Sequence, residues 1–501
     1  MAVGARLQTV ALVATLLCAG AIPAAGANWP VFGYDPARSG VDGSQRILTA
    51  GNVGRLRTRW QTALGEVADS TPILLEHVKI GVVSRTMLFQ TATNGVTFGI
   101  DAASGRVLWR FRPHVPSPRA GFSLLGFLRK MAFGPNVTTS TPAADPSGLS
   151  IYAPGLDGFV HKLDAASGVE LRSRGFPVRI TLIPQTEKSA SALNVANGYL
   201  YATTSGFNGD APPYDGHVVS VRLSDGTTSV FNSLCSQDRA LPTTTSCPSS
   251  HSGIWSRGGA VVDPDAAMHG QIYVATGDGN FDANAGGENF GDSVLALSAD
   301  LSKRIGNYTP RDFQALEDGD IDLGSTSPAL LPRQSASSTP LMLVQGGKDR
   351  VLRLVNRSPL PGVEGELQEL SLEDPLFSTP AIWTDPSNRA WVFIGFSQEI
   401  DAYRLVTDVR GTSRLVRIWR ALVGRTAGEG TSPVVSNGIV FDAFDGAIVA
   451  LDAQNGHELW SSAFHAAGGT TGPVHWQSPI VVNGWVYCSD QNGKLTAYSL
   501  R

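Results

Sequence analysis

Charge is scarce in this chain: Asp, Glu, Lys and Arg make up 16 % of its 501 residues, and the formal net charge is −4. That balance gives no basis for nucleic acid or an anionic membrane as main partner, since both need a surplus of basic residues. Small anionic ligands at a local basic site stay compatible with it. Cysteine is limited to four residues and no Cys-x-x-Cys-His occurs, so no covalent c-type haem is attached to this chain. The nine histidines include no metal-binding pair at helical spacing, and neither a Gly-x-Ser-x-Gly elbow nor a Walker-type loop is found. After residue 27 no apolar run is long enough to span a bilayer, so stable membrane insertion is not expected.

The chain does carry a leader-like start, with Arg6, an apolar run from Val10 to Ala21 and small residues at Ala25-Gly26-Ala27. This pattern predicts a signal peptide over 1–27 and a secreted or periplasmic mature protein beginning near Asn28. Leu17 before Cys18 does not fit a lipidation signal. In an oxidising compartment Cys235 and Cys247, twelve apart in a Ser/Thr/Pro-rich stretch, can pair as a disulfide. Cys488, in an apolar strand, reads as a buried small hydrophobe.

Length alone would suggest two to four domains, but an internal repeat argues for one. Its clearest copy runs from Ser432-Pro433 through Asn437-Gly438, Asp445-Gly446, Asp452 and Gly456 to Trp460. Short apolar runs separated by Asn-Gly or Asp-Gly are hairpin signals, so each copy is a four-stranded antiparallel meander. Further copies begin at Ser70, Ser140, Ser189, near Gly258, and at Ser327, Ser378 and Ser478. In the copy at Ser140, Arg172 stands where Trp is expected. Eight units at this spacing predict an all-β, eight-bladed β-propeller over 56–501, preceded by a lead segment over 28–55. The last unit lacks a fourth strand, while Leu56 to Trp60 reads as a fourth strand without its first three. An N-terminal strand is therefore expected to complete the last blade and remove both exposed edges.

These units resemble the quinoprotein repeat of the pyrroloquinoline quinone (PQQ) family, Ala-x-Asp-x-x-Thr-Gly-x-x-x-Trp, best kept at Asp101 to Trp109 and Asp452 to Trp460. The opening Asn28-Trp29-Pro30 also looks like the start of quinoprotein alcohol dehydrogenases. The resemblance implies that the Trp packs between blades while Asp and Gly shape the turn. The same repeat builds non-catalytic propellers, so fold does not by itself give activity.

Long insertions at Phe207 to Tyr214, Ser233 to Gly253, Phe281 to Phe290 and Tyr308 to Gly324 fall at connections that share one face, as expected of loops built around a pocket. On that face Glu317, Asp318, Asp320 and Asp322 form an acidic run suited to a hard cation or a general base. The resemblance places Asp320 at the family's catalytic base, also a candidate metal ligand, with a register uncertain by two residues that brings in Asp322 as a cofactor contact. It likewise implies Asp278 as a calcium ligand, Trp255 as the floor under the quinone and Lys348 at the quinone oxygens. Asp210 is the nearest acid for a further metal ligand. The family's adjacent Cys-Cys pair is absent, and Asp69-Ser70 replaces a glutamate at the start of blade one. Two readings follow. One is an oxidoreductase using PQQ and Ca²⁺ to oxidise an alcohol or polyol, passing electrons to a separate acceptor. The other is a secreted propeller without cofactor that binds protein or polysaccharide.

Overall fold

The computed structural model describes Met1 and residues 28–114, 136–207, 210, 212–424, 429–465 and 471–500; apart from Met1, the expected leader lies outside them. The described chain forms eight small antiparallel sheets arranged as propeller blades, with a single seven-residue α-helix at Phe313–Gly319. Blade one comprises Ile73–Ile80, Val83–Thr91, Thr97–Asp101 and Val107–Phe111. Blades two to six occupy 143–179, 194–232, 261–309, 329–371 and 381–422, and blade seven 434–461. Second and third strands are buried almost throughout, for example Thr97–Asp101 and Ile439–Phe444. The core therefore lies between neighbouring blades as well as within them.

Blade eight is closed by both chain ends. Ile480–Val482, Trp485–Ser489 and Lys494–Ser499 supply three strands, and Arg57–Ala63 pairs antiparallel with the third. Thr58 faces Tyr498, Trp60 faces Ala497 and Ala63 faces Lys494, with a bulge between Thr58 and Trp60. The strand begins one residue later than Leu56 and runs three residues past Trp60.

The repeat motif does the same physical job at three of the joints between blades. Asp101 accepts hydrogen bonds from the Ser104 amide (2.9 Å) and hydroxyl (2.7 Å), fixing the turn that Gly105 completes at φ +73°. The indole of Trp60, on the preceding blade, lies on this turn and donates to the Ala102 carbonyl at 3.1 Å. A Cβ at Gly105 would sit 2.5 Å from that ring. Trp109 on blade one docks alike on Gly168 and Ala165, and Trp419 on blade six docks on Gly456 and Ala453. The joint from blade eight to blade one is thus made like those at Trp109 and Trp419. Where Arg172 replaces the Trp, the contact is remade from backbone. Arg172 is solvent-facing, the fourth strand of blade two shifts to Val178–Arg179, and the Arg174 carbonyl packs on Gly226 of blade three.

The lead segment spans one end of the channel. The Trp29 amide and carbonyl both pair with Leu74 of blade one. The Pro30, Pro36, Ser39 and Gly40 carbonyls accept amides from Ala144, Val262, Ile382 and Val435 of blades two, four, six and seven. Arg38, 2 % exposed, donates to the carbonyls of Phe32, Ala192, Leu193 and Gly258. Full saturation by carbonyls is what makes a buried guanidinium tolerable.

Blade three holds a buried ion pair. His217 and Glu187 are fully buried; His217 Nδ1 is 3.1 Å from Glu187 Oε1 and its Nε2 is 2.8 Å from the Ile180 carbonyl. Burial alone would lower the His217 pKa, but the Glu187 carboxylate outweighs it and raises it to about 9.

Trp60→Ala should lower unfolding stability by about 3 kcal/mol. Gly105→Ala should cost clearly more than Gly446→Ala, which shares a positive φ but has open space at its Cβ; equal losses in a denaturant titration would contradict the docking role. Because the folded His217 pKa lies above its unfolded value, its stabilisation is complete below about pH 6.5 and disappears as pH rises through about 9. His217→Gln should therefore cost about 3 kcal/mol at pH 7 and flatten the alkaline fall in melting temperature; a mutant with the wild-type pH profile would refute the pairing.

Candidate functional site

The links that lead into first strands and the turns that follow second strands share one mouth of the ring. Residues just before first strands (Trp255, Asp322, Glu429, Trp476) and just after second strands (Phe207, Asp278, Lys348) therefore converge there. They line a cavity of about 310 Å³, at the small end of ligand-binding pockets. The insertions interlock around it. Phe281 meets Phe313 edge-on at 4.8 Å, Cys235 and Cys247 form a disulfide, and the Ser236 amide bonds the Glu288 carbonyl.

Asp278, Asp320 and Asp322 each bring a carboxylate oxygen within 4.8 Å of the others. Asp322 is buried; one oxygen accepts the Asp278 amide at 2.6 Å and the other pairs with Lys348. Asp320 caps the α-helix in a left-handed conformation (φ 52°), which swings its carboxylate outward to 72 % exposure while Lys348 Nζ still reaches it at 3.0 Å. Lys348 thus bridges the two acids, and its Nζ lies 5.5 Å from the Trp255 ring centre. Burial would lower the Lys348 pKa, but Asp322 raises it above its ordinary value. Burial, and then repulsion from Asp322, push Asp278 up to about 8. Buried Asp292, which accepts the Leu323 amide, goes up to about 9, chiefly through burial. A site this rich in acid holds protons until a cation takes their place.

Trp255 stacks on Trp476, centroids 5.8 Å apart and planes 14° from parallel. No ring can enter between two indoles that close, so a planar ligand would lie against the open side of the stack. Trp476 is anchored by its Nε1 to Glu429 (2.7 Å) and by its amide to Asp69 (3.0 Å), and Asp69 also holds His475 Nδ1 at 2.7 Å. Buried Arg257 lies 5.0 Å from the Trp476 ring centre and donates to the His475 carbonyl. The sequence reading missed Trp476, His475, Glu429 and Lys188. The signal available for the first two was His475-Trp476 standing immediately before Ser478-Pro479, the position Trp255 holds before blade four.

Asp210 lines the cavity but stands outside the three-carboxylate group; its Oδ1 accepts the Tyr214 hydroxyl at 2.9 Å. Burial raises its pKa. The residues present suit a planar, oxygen-bearing anion with a hard cation. Gly277 is a cradle: a Cβ there would overlap the Asp322 carboxylate. Oxygen-only donors match a hard cation. The Lys188 ammonium, buried in the cavity wall, has no hydrogen-bond or ion-pair partner among the described residues.

Comparison with known proteins agrees with this architecture. No curated protein matches the chain. Among solved structures, quinohemoprotein alcohol dehydrogenase from Pseudomonas putida HK5 is 14 % identical, with a TM-score of 0.64 over 94 % of this chain and 80 % of that one. The Comamonas testosteroni quinohemoprotein alcohol dehydrogenase is 15 % identical, with a TM-score of 0.62 over 94 % and 80 %. A europium-containing methanol dehydrogenase is 14 % identical, with a TM-score of 0.63 over 95 % and 98 %. These likenesses concern the fold. The family model of the outer membrane protein assembly factor BamB matches residues 412–501. The model described as the glucose/ethanol/alcohol dehydrogenase β-propeller domain matches residues 29–357, about two thirds of the sequence, and the chain belongs to that PQQ propeller family.

Proposed function

We propose that this protein is a quinoprotein dehydrogenase that oxidises an alcohol or polyol with PQQ and a hard cation such as Ca²⁺. The observation that carries the reading is the meeting of Asp278, Asp320 and Asp322 with Lys348 and Trp255 at one mouth of the ring. Bound PQQ supplies an o-quinone that accepts hydride, and the cation supplies Lewis acidity.

The chain's own residues divide the remaining work. Asp322, buried with both oxygens engaged, and Asp278 are placed to hold the cation. Asp320, at the rim and open to solvent, is placed to take the substrate hydroxyl proton and release it. Lys348 orients Asp320 and Asp322 and offers positive charge to quinone oxygens. The Trp255–Trp476 stack gives a flat wall for a planar ring and excludes water from one side. Asp210, held by Tyr214, faces the cavity as a further acid and joins the cation only if its carboxylate turns from that hydroxyl. Electrons leave to a separate acceptor, as the chain carries no haem-attachment motif. The Cys235–Cys247 disulfide supports a mature protein secreted or held in the periplasm, starting near Asn28 after removal of 1–27; among the described residues no helix is long and apolar enough to cross a membrane.

The test is reconstitution of the mature chain with PQQ and Ca²⁺, followed by dye-linked oxidation of an alcohol and polyol panel. Asp278→Ala should lower Ca²⁺ affinity at least tenfold and abolish activity. Asp320→Asn should keep PQQ bound yet lower kcat by about 10²–10⁴-fold, the range of general-base catalysis. A wild-type chain that binds no PQQ at high micromolar concentration would overturn the proposal in favour of a binding propeller without cofactor.

A further inference from the structure

One cation of the cavity, Lys188, has no ion-pair partner among the described residues. Lys188 lies on Glu187–Ser189, a short strand displaced from the main run of blade three, where it faces Ser205 at the end of the second strand. It is only 9 % exposed, and its side chain lines the cavity. Its ammonium forms no hydrogen bond and no ion pair with any described residue, and it lies over the Phe207 ring, 5.7 Å from Nζ to centroid. The nearest acids are engaged elsewhere: Asp69 with His475 and Trp476, Asp210 with Tyr214. Lys348, on the same cavity, is in contrast clamped between Asp320 and Asp322. A buried unpaired ammonium is expensive in a folded protein, and such groups persist where a ligand supplies the counter-charge. Burial pulls its pKa down to about 8, so it is cationic at neutral pH but close to releasing its proton.

Resting on the quinoprotein reading above, we propose that Lys188 is a second anion anchor, on the opposite strand system from Lys348, and that its ammonium receives a carboxylate of the bound PQQ. The two amines then have separate tasks. Lys348 belongs to the carboxylate and cation end of the site, while Lys188 selects for a ligand that carries a carboxylate at its other edge. Ser205, paired with Lys188 across the strand and lining the same cavity, stands beside this anchor.

The experiment is equilibrium binding of PQQ to the full mature chain, read by quenching of tryptophan fluorescence, for wild type, Lys188→Met and Lys188→Arg. Lys188→Met should weaken PQQ binding by about 10–100-fold, the range of one charge-assisted hydrogen bond, and leave Ca²⁺ affinity unchanged. Lys188→Arg should stay within a few-fold of wild type. The trimethyl ester of PQQ, which lacks anionic carboxylates, should bind wild type and Lys188→Met equally. Mass spectrometry after brief acetylation should show Lys188 modified in the free protein and protected by PQQ but not by Ca²⁺ alone. If wild type binds PQQ and Lys188→Met binds it as tightly, with no protection of Lys188, the anchor is wrong and the quinoprotein reading stands. If wild type binds no PQQ, both fall together.

Discussion

The tryptophan that leaves one blade and lies on the glycine turn of the next is the contact on which the molecule depends. It joins flat apolar area, one indole hydrogen bond and a turn that leaves no space for a side chain. A blade alone is a small sheet with two open edges and too little core to stand by itself. This joint links blades eight to one, one to two and six to seven, and applying it at Trp60 ties the blade in which the chain ends meet to blade one. Everything at the mouth follows, because residues as far apart in sequence as Asp69 and Trp476 are neighbours only when the ring is closed.

The ring is asymmetric in what it does with its two ends. One is sealed by the lead segment, with Arg38 bonded to four carbonyls. The other is raised by insertions and opens into a pocket whose walls are connection residues. Strands supply rigidity and the connections supply chemistry, as expected where short loops stand on a stiff frame. Within the pocket the charges are arranged unevenly: Asp320 and Asp322 share Lys348, while the Lys188 ammonium has no ion-pair partner among the described residues.

Much of the fold could be read from the residues because hairpin turns and the Asp–Gly–Trp spacing are local patterns. Blade number, blade order and closure through Arg57–Ala63 came from those patterns, and the structure shifted that strand by a few residues only. At Arg172, where the repeat expects Trp, backbone at Arg174 and Gly175 takes over the docking surface, a substitution with no signature in side-chain type. The site was less legible. Asp278, Asp320, Asp322, Lys348 and Trp255 were reachable through a family pattern, and they do meet. Asp210 was included for its position, yet its carboxylate turns to Tyr214. Lys188, on the short strand Glu187–Ser189, and Glu429 carry no repeat signal, and His475-Trp476 carry only their place ahead of Ser478-Pro479; the four meet through closure of the ring, which no single window of sequence contains.

Anomalous diffraction from crystals of the mature chain grown with PQQ and Ca²⁺, or with terbium as a strongly scattering hard-cation substitute, tests the account most directly. It predicts a single strong peak bound by Asp278 and Asp322 oxygens beside Trp255, with the planar ligand against the open side of the Trp255–Trp476 stack. A peak elsewhere on the ring, or no peak with Lys348 still clamped between Asp320 and Asp322, would contradict it.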